Sequence, residues 1–271
     1  MYKEFFHLKE NPFNVTADPQ FFFSSSRHTE AFSHLLYGIR QRKGILVITG
    51  EVGTGKTTLC RTLLNRLDEN IKTALILNPN FSATQLLHLI IHDLGIEGTF
   101  RNKFALVNAL NTFLIQETGQ GHNVALIIDE AQNLRTQQLE QIRLLSNLET
   151  EKEKLLQIIL VGQPELCEKL KLASIRQLNQ RISVRYHINP LDKEESREYI
   201  KHRFKCANAS PENNDHVPFT DEAFDLIYES SGGIPRKINI LCDRALLAGY
   251  TQGTRRIDEK IVQSSLEEVF A

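Results

Sequence analysis

Gly44-Ile45-Leu46-Val47-Ile48-Thr49-Gly50-Glu51-Val52-Gly53-Thr54-Gly55-Lys56-Thr57 is the stretch on which the fold turns. Its first half is a short, nearly unbroken apolar run. Such a run, closed by a glycine, fits a strand buried on both faces of a parallel sheet. The eight residues that follow satisfy G-x-x-x-x-G-K-[ST] in full, with a strand before them and a helix read over 55–68 after them. Glycines let a chain wrap closely around a phosphate with backbone angles that other residues avoid. Successive N–H groups and the positive helix end then face the anion. In that reading Lys56 reaches the β- and γ-phosphates and the Thr57 hydroxyl takes one Mg²⁺ position. Gly50, Glu51, Val52, Gly53, Thr54, Gly55, Lys56, Thr57 and Thr58 form the candidate nucleotide-binding set.

Outward from this loop, apolar runs at 73–78 (TALILN), 123–129 (NVALIID) and 155–161 (LLQIILV) predict three more buried strands, with a weaker fifth near 184–188. Helical periodicity fills the gaps over 82–94, 102–118 and 135–148. Strands alternating with helices predict a three-layer α/β fold with a parallel sheet. Upstream, residues 1–43 form an aromatic lead-in, with Phe5, Phe6, Phe13 and Phe21–Phe23, ending in a helix over 27–42. After Pro190 the pattern changes to helices near 192–207, 220–230, 235–250 and 258–270, with a polar loop at 208–218. The expected division is a lead-in over 1–43 packing on the core, an α/β domain over 44–190 and a small all-helical domain over 191–271. The sequence ends inside a helical pattern, as a piece of a longer chain would.

The string Leu126-Ile127-Ile128-Asp129-Glu130 supplies the second half of a nucleotide site. An acid at the end of a buried strand neighbouring a P-loop holds Mg²⁺, usually through water, and Asp129 has that position. Glu130 then fits the base that polarises an attacking water. The alternative is that both acids open the next helix, where carboxylates suit the N-terminal dipole.

Bulk properties narrow the class. The 271 residues are 41% hydrophobic and 24% charged, with 32 basic and 33 acidic residues and a net charge of -1. That is an ordinary globular composition with no whole-protein field for gathering nucleic acid. Cys60, Cys167, Cys206 and Cys242 form no C-x-x-C pair and read as reduced thiols in a cytosol. The lead-in carries Lys3, Glu4, Lys9 and Glu10, so it lacks the apolar region of a signal peptide, and no run of 18 apolar residues predicts a membrane span.

Five strings carry a resemblance over residues 2–249: YKEFFHLKENPF, GEVGTGKTTLCRTLL, LIIDEAQNL, ILVGQPEL and GGIPRKINILCDRALL. Together they resemble the AAA+ ATPases, and in detail the general secretion pathway protein A (ExeA-type) ATPases and the related ATPase of mannose-sensitive pilus biogenesis. The resemblance implies a P-loop NTPase sandwich with a helical lid. It also implies an ATP hydrolase using ATP and Mg²⁺, self-association into an oligomer or ring, and a cytoplasmic place at the inner membrane beside a secretion or pilus assembly protein. It makes Gln163 the sensor of the γ-phosphate, Arg181 in Gln180-Arg181-Ile182 the arginine presented to a neighbouring subunit, and Arg236 the lid arginine on the nucleotide. Arginine suits these roles because its planar guanidinium makes several contacts with phosphate. The alternatives are that Gln163 caps the following helix, that Arg181 is a surface ion-pair residue with Arg176 and Arg185 as rivals, and that Arg236 caps its own helix.

Other features carry less. His88 and His92 share one helix face, but a metal site needs a further ligand; Cys60, one turn into the P-loop helix, reads as a core residue. Phe21–Phe23 read as packing onto the sheet domain or as a partner surface. Two other functions share the same core: a DNA-associated regulator of the transposition or origin-recognition type, and an ATP-gated binding module with negligible turnover.

Overall fold

The computed structural model describes residues 2–208 and 217–270. In chain order the elements are α1 (Tyr2–Phe5), α2 (Ser26–Arg40), β1 (Ile45–Gly50), α3 (Lys56–Arg66), β2 (Ile71–Ile76), α4 (Ala83–Asp93), α5 (Lys103–Gly119) and β3 (Asn123–Ile128). Then come α6 (Thr136–Leu145), β4 (Gln157–Gly162), α7 (Glu165–Lys171), α8 (Arg176–Asn179) and β5 (Ile182–Ile188). The chain closes with α9 (Lys193–Ala207), α10 (Asp221–Ser231), α11 (Pro235–Thr251) and α12 (Glu259–Phe270). Two compact units form: one from residues 29–50 and 59–188, the other from residues 1–28, 51–58 and 189–271.

The first unit is a parallel five-stranded sheet in the order β2-β3-β4-β1-β5. Strands β1, β3 and β4 are buried at every residue, which is why their sequences are apolar without alternation. Ile45 and Val47 face a core built with Leu86, Leu110, Leu139 and Leu166 from α4, α5, α6 and α7. The residue between them, Leu46, points the opposite way. There α2 comes so close that a Cβ on Gly38 would lie 2.0 Å from Leu46 Cδ2. Helices on both faces of a parallel sheet give the three-layer α/β sandwich expected from sequence. Edge strand β5 alternates half-buried and exposed residues, so its sequence signal is weak.

The second unit contains α9 to α12, and its described residues hold only isolated bridges such as Leu8–Asn208 and Phe219–Ile257. Asp192 and Glu195 make a reciprocal capping box at the start of α9, and Thr220 caps α10. The lead-in aromatics belong to this unit's core: Tyr2, Phe6, Phe13 and Phe21 are buried with Tyr199, Phe204, Phe219 and Leu241. Residues 29–40 of the lead-in, in α2, belong instead to the sheet unit. The reason for the aromatics' place is concrete: buried Arg203 donates to Pro12 O at 2.5 Å and Asn14 O at 2.8 Å, and its guanidinium lies 4.4 Å from the Phe21 ring centroid. The loop expected at 208–218 falls mostly on residues 209–216, outside the described residues.

Candidate nucleotide site

The glycine loop follows β1 and runs directly into α3. Gly53 and Gly55 have φ of 86° and 92°, a left-handed region that costs other L-residues energy. A Cβ at Gly53 would lie 2.5 Å from Arg236 Cβ, so the cradle has room for backbone only. Three groups converge on Glu51 O: the Lys56 ammonium at 2.8 Å, the Thr54 hydroxyl at 2.9 Å and the Thr54 N–H at 3.3 Å. Lys56 is 6% exposed and opens α3, with Thr57 and Thr58 in the same first turn. A tight turn of left-handed glycines followed at once by a helix start is a geometry that offers N–H groups to an anion. The residues present therefore fit a triphosphate.

Two further segments of the same unit touch the loop. The Arg236 N–H donates to Gly53 O at 3.2 Å, with Pro235 pre-setting the first turn of α11. The Arg236 side chain is exposed. The other contact is His28, a residue that sequence reasoning missed. Its Nε2 lies 2.8 Å from Thr54 O and its Nδ1 lies 2.7 Å from Ser25 Oγ. A carbonyl only accepts, so Nε2 carries the proton and the Ser25 hydroxyl donates to Nδ1. Burial pushes the imidazole pKa below its ordinary value, which favours this neutral form. Beside the loop lies a small pocket of about 50 Å³, lined by residues that include Phe21, Phe22, Phe23, His28, Gly55 and Arg203. Aromatic faces beside a phosphate-type loop suit a flat heterocycle.

In the sheet unit, Gly50, Asp129 and Gln163 stand at the carboxyl ends of adjacent strands β1, β3 and β4, the end where open α/β sheets place ligands. Asp129 is 2% exposed; its N–H donates to Ile76 O at 2.8 Å, and its Oδ1 accepts the Glu130 N–H at 2.9 Å. Glu130 is left-handed at φ 52°, rare for a residue with a side chain and a mark of local strain. The following 3-10 turn, Ala131–Asn133, receives no side-chain cap from Glu130, so helix capping does not account for that acid. Glu130 Oε2 instead accepts from Gln132 Nε2 at 2.5 Å and Gln163 Nε2 at 3.2 Å. Gln163 thus turns its side-chain amide toward the acid, and Pro164 occupies the cap position of α7.

Arg176, Arg181 and Arg185 are all exposed around α8 and β5. Arg185 is tied back, donating to Asn179 O at 3.1 Å and to its side-chain carbonyl. Arg181 precedes β5, with its N–H on Leu178 O at 2.9 Å. Its charge reaches Glu149, whose carboxyl is held low first by Lys154 and to a smaller extent by Arg181.

Sheet order, glycine loop and strand-end acid define a P-loop protein of the AAA+ class. A family model described as an AAA domain matches residues 39–170. Over 258 residues, 95% of its length, the chain is 40% identical to general secretion pathway protein A of Aeromonas hydrophila, while spanning 46% of that relative. By sequence, then, the chain belongs with the AAA+ domains of the general secretion pathway protein A type. It is also 32% identical, over 110 residues (41% of this chain, 26% of the relative), to an uncharacterized HTH-type transcriptional regulator of Methanocaldococcus jannaschii. Among solved structures, Cdc6p of Pyrobaculum aerophilum superposes with a TM-score of 0.69 at 17% identity, covering 93% of this chain and 71% of that one. The RuvB Holliday junction branch migration motor of Thermotoga maritima superposes with a TM-score of 0.57 at 18% identity, covering 91% and 70%. At such identities these likenesses establish the fold alone. Among the described residues, no helix is long and apolar enough to cross a membrane.

Proposed function

We propose that the chain is an ATPase that hydrolyses ATP with Mg²⁺ on self-association and serves assembly of a type II secretion or pilus machine at the cytoplasmic face of the inner membrane. The observation that carries the chemical part is the carboxylate of Glu130, fixed next to a buried strand-end acid and bonded to the Gln163 amide. In this reading the loop amides and Lys56 hold the triphosphate, and Arg236 adds positive charge. The aromatic pocket beside Gly55 takes the adenine. Thr57 and Asp129 would hold Mg²⁺, which neutralises charge on the phosphates when bound. Glu130 accepts the proton of the attacking water, and Gln163 reports the γ-phosphate. Arg181, exposed and less tied than Arg185, is offered to a neighbouring copy. The secretion role rests on the 40% identity to general secretion pathway protein A.

The test is complementation. Glu130→Gln and Arg181→Ala should each be inactive alone, while an equimolar mixture regains turnover, because one variant supplies the arginine and the other an intact base. Full activity of Arg181→Ala alone, at concentrations where the unaltered protein is assembled, would exclude the trans arginine. A second reading, a DNA-associated regulator, draws on the match to the HTH-type regulator. ATP-dependent duplex binding that weakens steeply with salt would favour it.

A further inference from the structure

We infer that Gln132 is a positioning residue that locks Glu130 and Gln163 into one unit. The inference rests on the ATPase reading above for its consequence, although its geometry stands alone. One amide does two things: Gln132 Oε1 accepts the Gln163 N–H at 3.0 Å, and Gln132 Nε2 donates to Glu130 Oε2 at 2.5 Å. Gln163 closes the triangle by donating to the same Oε2. The approach needs glycine at the end of β4, because a Cβ on Gly162 would lie 2.8 Å from Gln132 Oε1. The turn that carries Gln132 is pinned from α7, where the Lys169 ammonium donates to Gln132 O and, at 2.8 Å, to Leu134 O. With backbone and side chain both held, Gln132 transmits a shift at the end of β4 to the Glu130 carboxylate. Sensing by Gln163 and proton acceptance by Glu130 then become one event.

Two substitutions separate the two bonds. Gln132→Glu is isosteric and keeps an acceptor for the Gln163 N–H but removes the donor toward Glu130; Gln132→Leu removes both. In Gln132→Leu, kcat should fall on the order of tenfold with the KM for ATP within about twofold. The Gln132→Leu/Gln163→Leu double variant should be no more than about twofold slower than the slower single, since residues acting as a unit are not additive. A binding readout is independent of turnover. By calorimetry, the preference for a non-hydrolysable ATP analogue over ADP should shrink by about the same factor in Gln132→Leu and Gln163→Leu. Gln132→Glu should keep that preference while losing kcat, an outcome that simple packing by Gln132 would not produce. Should Gln132→Leu fail to fold, the isosteric variant still decides. Multiplying losses in the double variant, or unaltered kcat and preference in Gln132→Leu, would overturn the lock. If the unaltered protein turns over no ATP in any assembly state, the ATPase reading fails, and the binding preference still decides on the lock.

Discussion

His28 shows how one imidazole can set the shape of a phosphate loop. It is 4% exposed, and its single ring proton is committed to Thr54 O. Burial lowers its pKa from 6.5, so between the folded value and 6.5 the unfolded chain binds more protons than the folded one. Stability is therefore complete above the ordinary imidazole pKa and declines as pH falls through that window. His202 shifts the same way, by burial first and then by the Arg203 charge, so the informative quantity is a difference. Going from about pH 7.5 to about pH 5, the unaltered protein should lose more unfolding free energy than His28→Gln, whose amide still donates to Thr54 O. Superimposable pH curves would remove His28 from the account. The loop, Asp129 and Glu130 were legible in the sequence because a motif announces them. His28 and Gln132 were not, because each acts through one bond to a distant backbone group and carries no spacing signal. Gln132 lies inside the quoted string LIIDEAQNL, but nothing in a string says which way an amide turns.

The turn between α10 and α11 sets the start of the helix that touches the glycine loop. Gly232 caps α10 with φ 59°, Gly233 has φ 71°, and the Gly233 carbonyl accepts the Leu191 N–H at 3.0 Å. A Cβ on Gly233 would lie 1.9 Å from Leu191 O, whereas one on Gly232 meets nothing within 4 Å. Gly232→Ala should cost about 1–2 kcal/mol, the left-handed penalty alone. Gly233→Ala should cost clearly more, because a backbone carbonyl must also move. Denaturant titration of both variants checks the order, and equal losses would contradict it. Elements such as β1, β3, β4 and α11 were legible because full burial or a Pro start and a Gly stop marks them. The four-residue α8 was not, and the seven-residue α7 showed only as a helix after Gln163 without bounds, since both are too short to show a helical period. The aromatic lead-in showed its apolar character, but only tertiary contacts with α9 decide which core it joins.

At the scale of the whole molecule, the chain alternates between two compact units. Glu51–Thr58 is assigned to the helical unit, while Gly50, Asp129, Glu130 and Gln163 are assigned to the sheet unit. The near-zero net charge gives no general attraction to nucleic acid, consistent with a molecule whose specificity lies in its site and its partners. The central claim is that loop amides and one ammonium neutralise a triphosphate. It is tested most directly by calorimetric titration of a non-hydrolysable Mg–ATP analogue into the unaltered protein and Lys56→Ala. Saturable binding is expected of the first and affinity lower by about a hundredfold in the second, the order of losing a desolvated charge-assisted contact of about 3 kcal/mol. Equal affinity in the two proteins would contradict it.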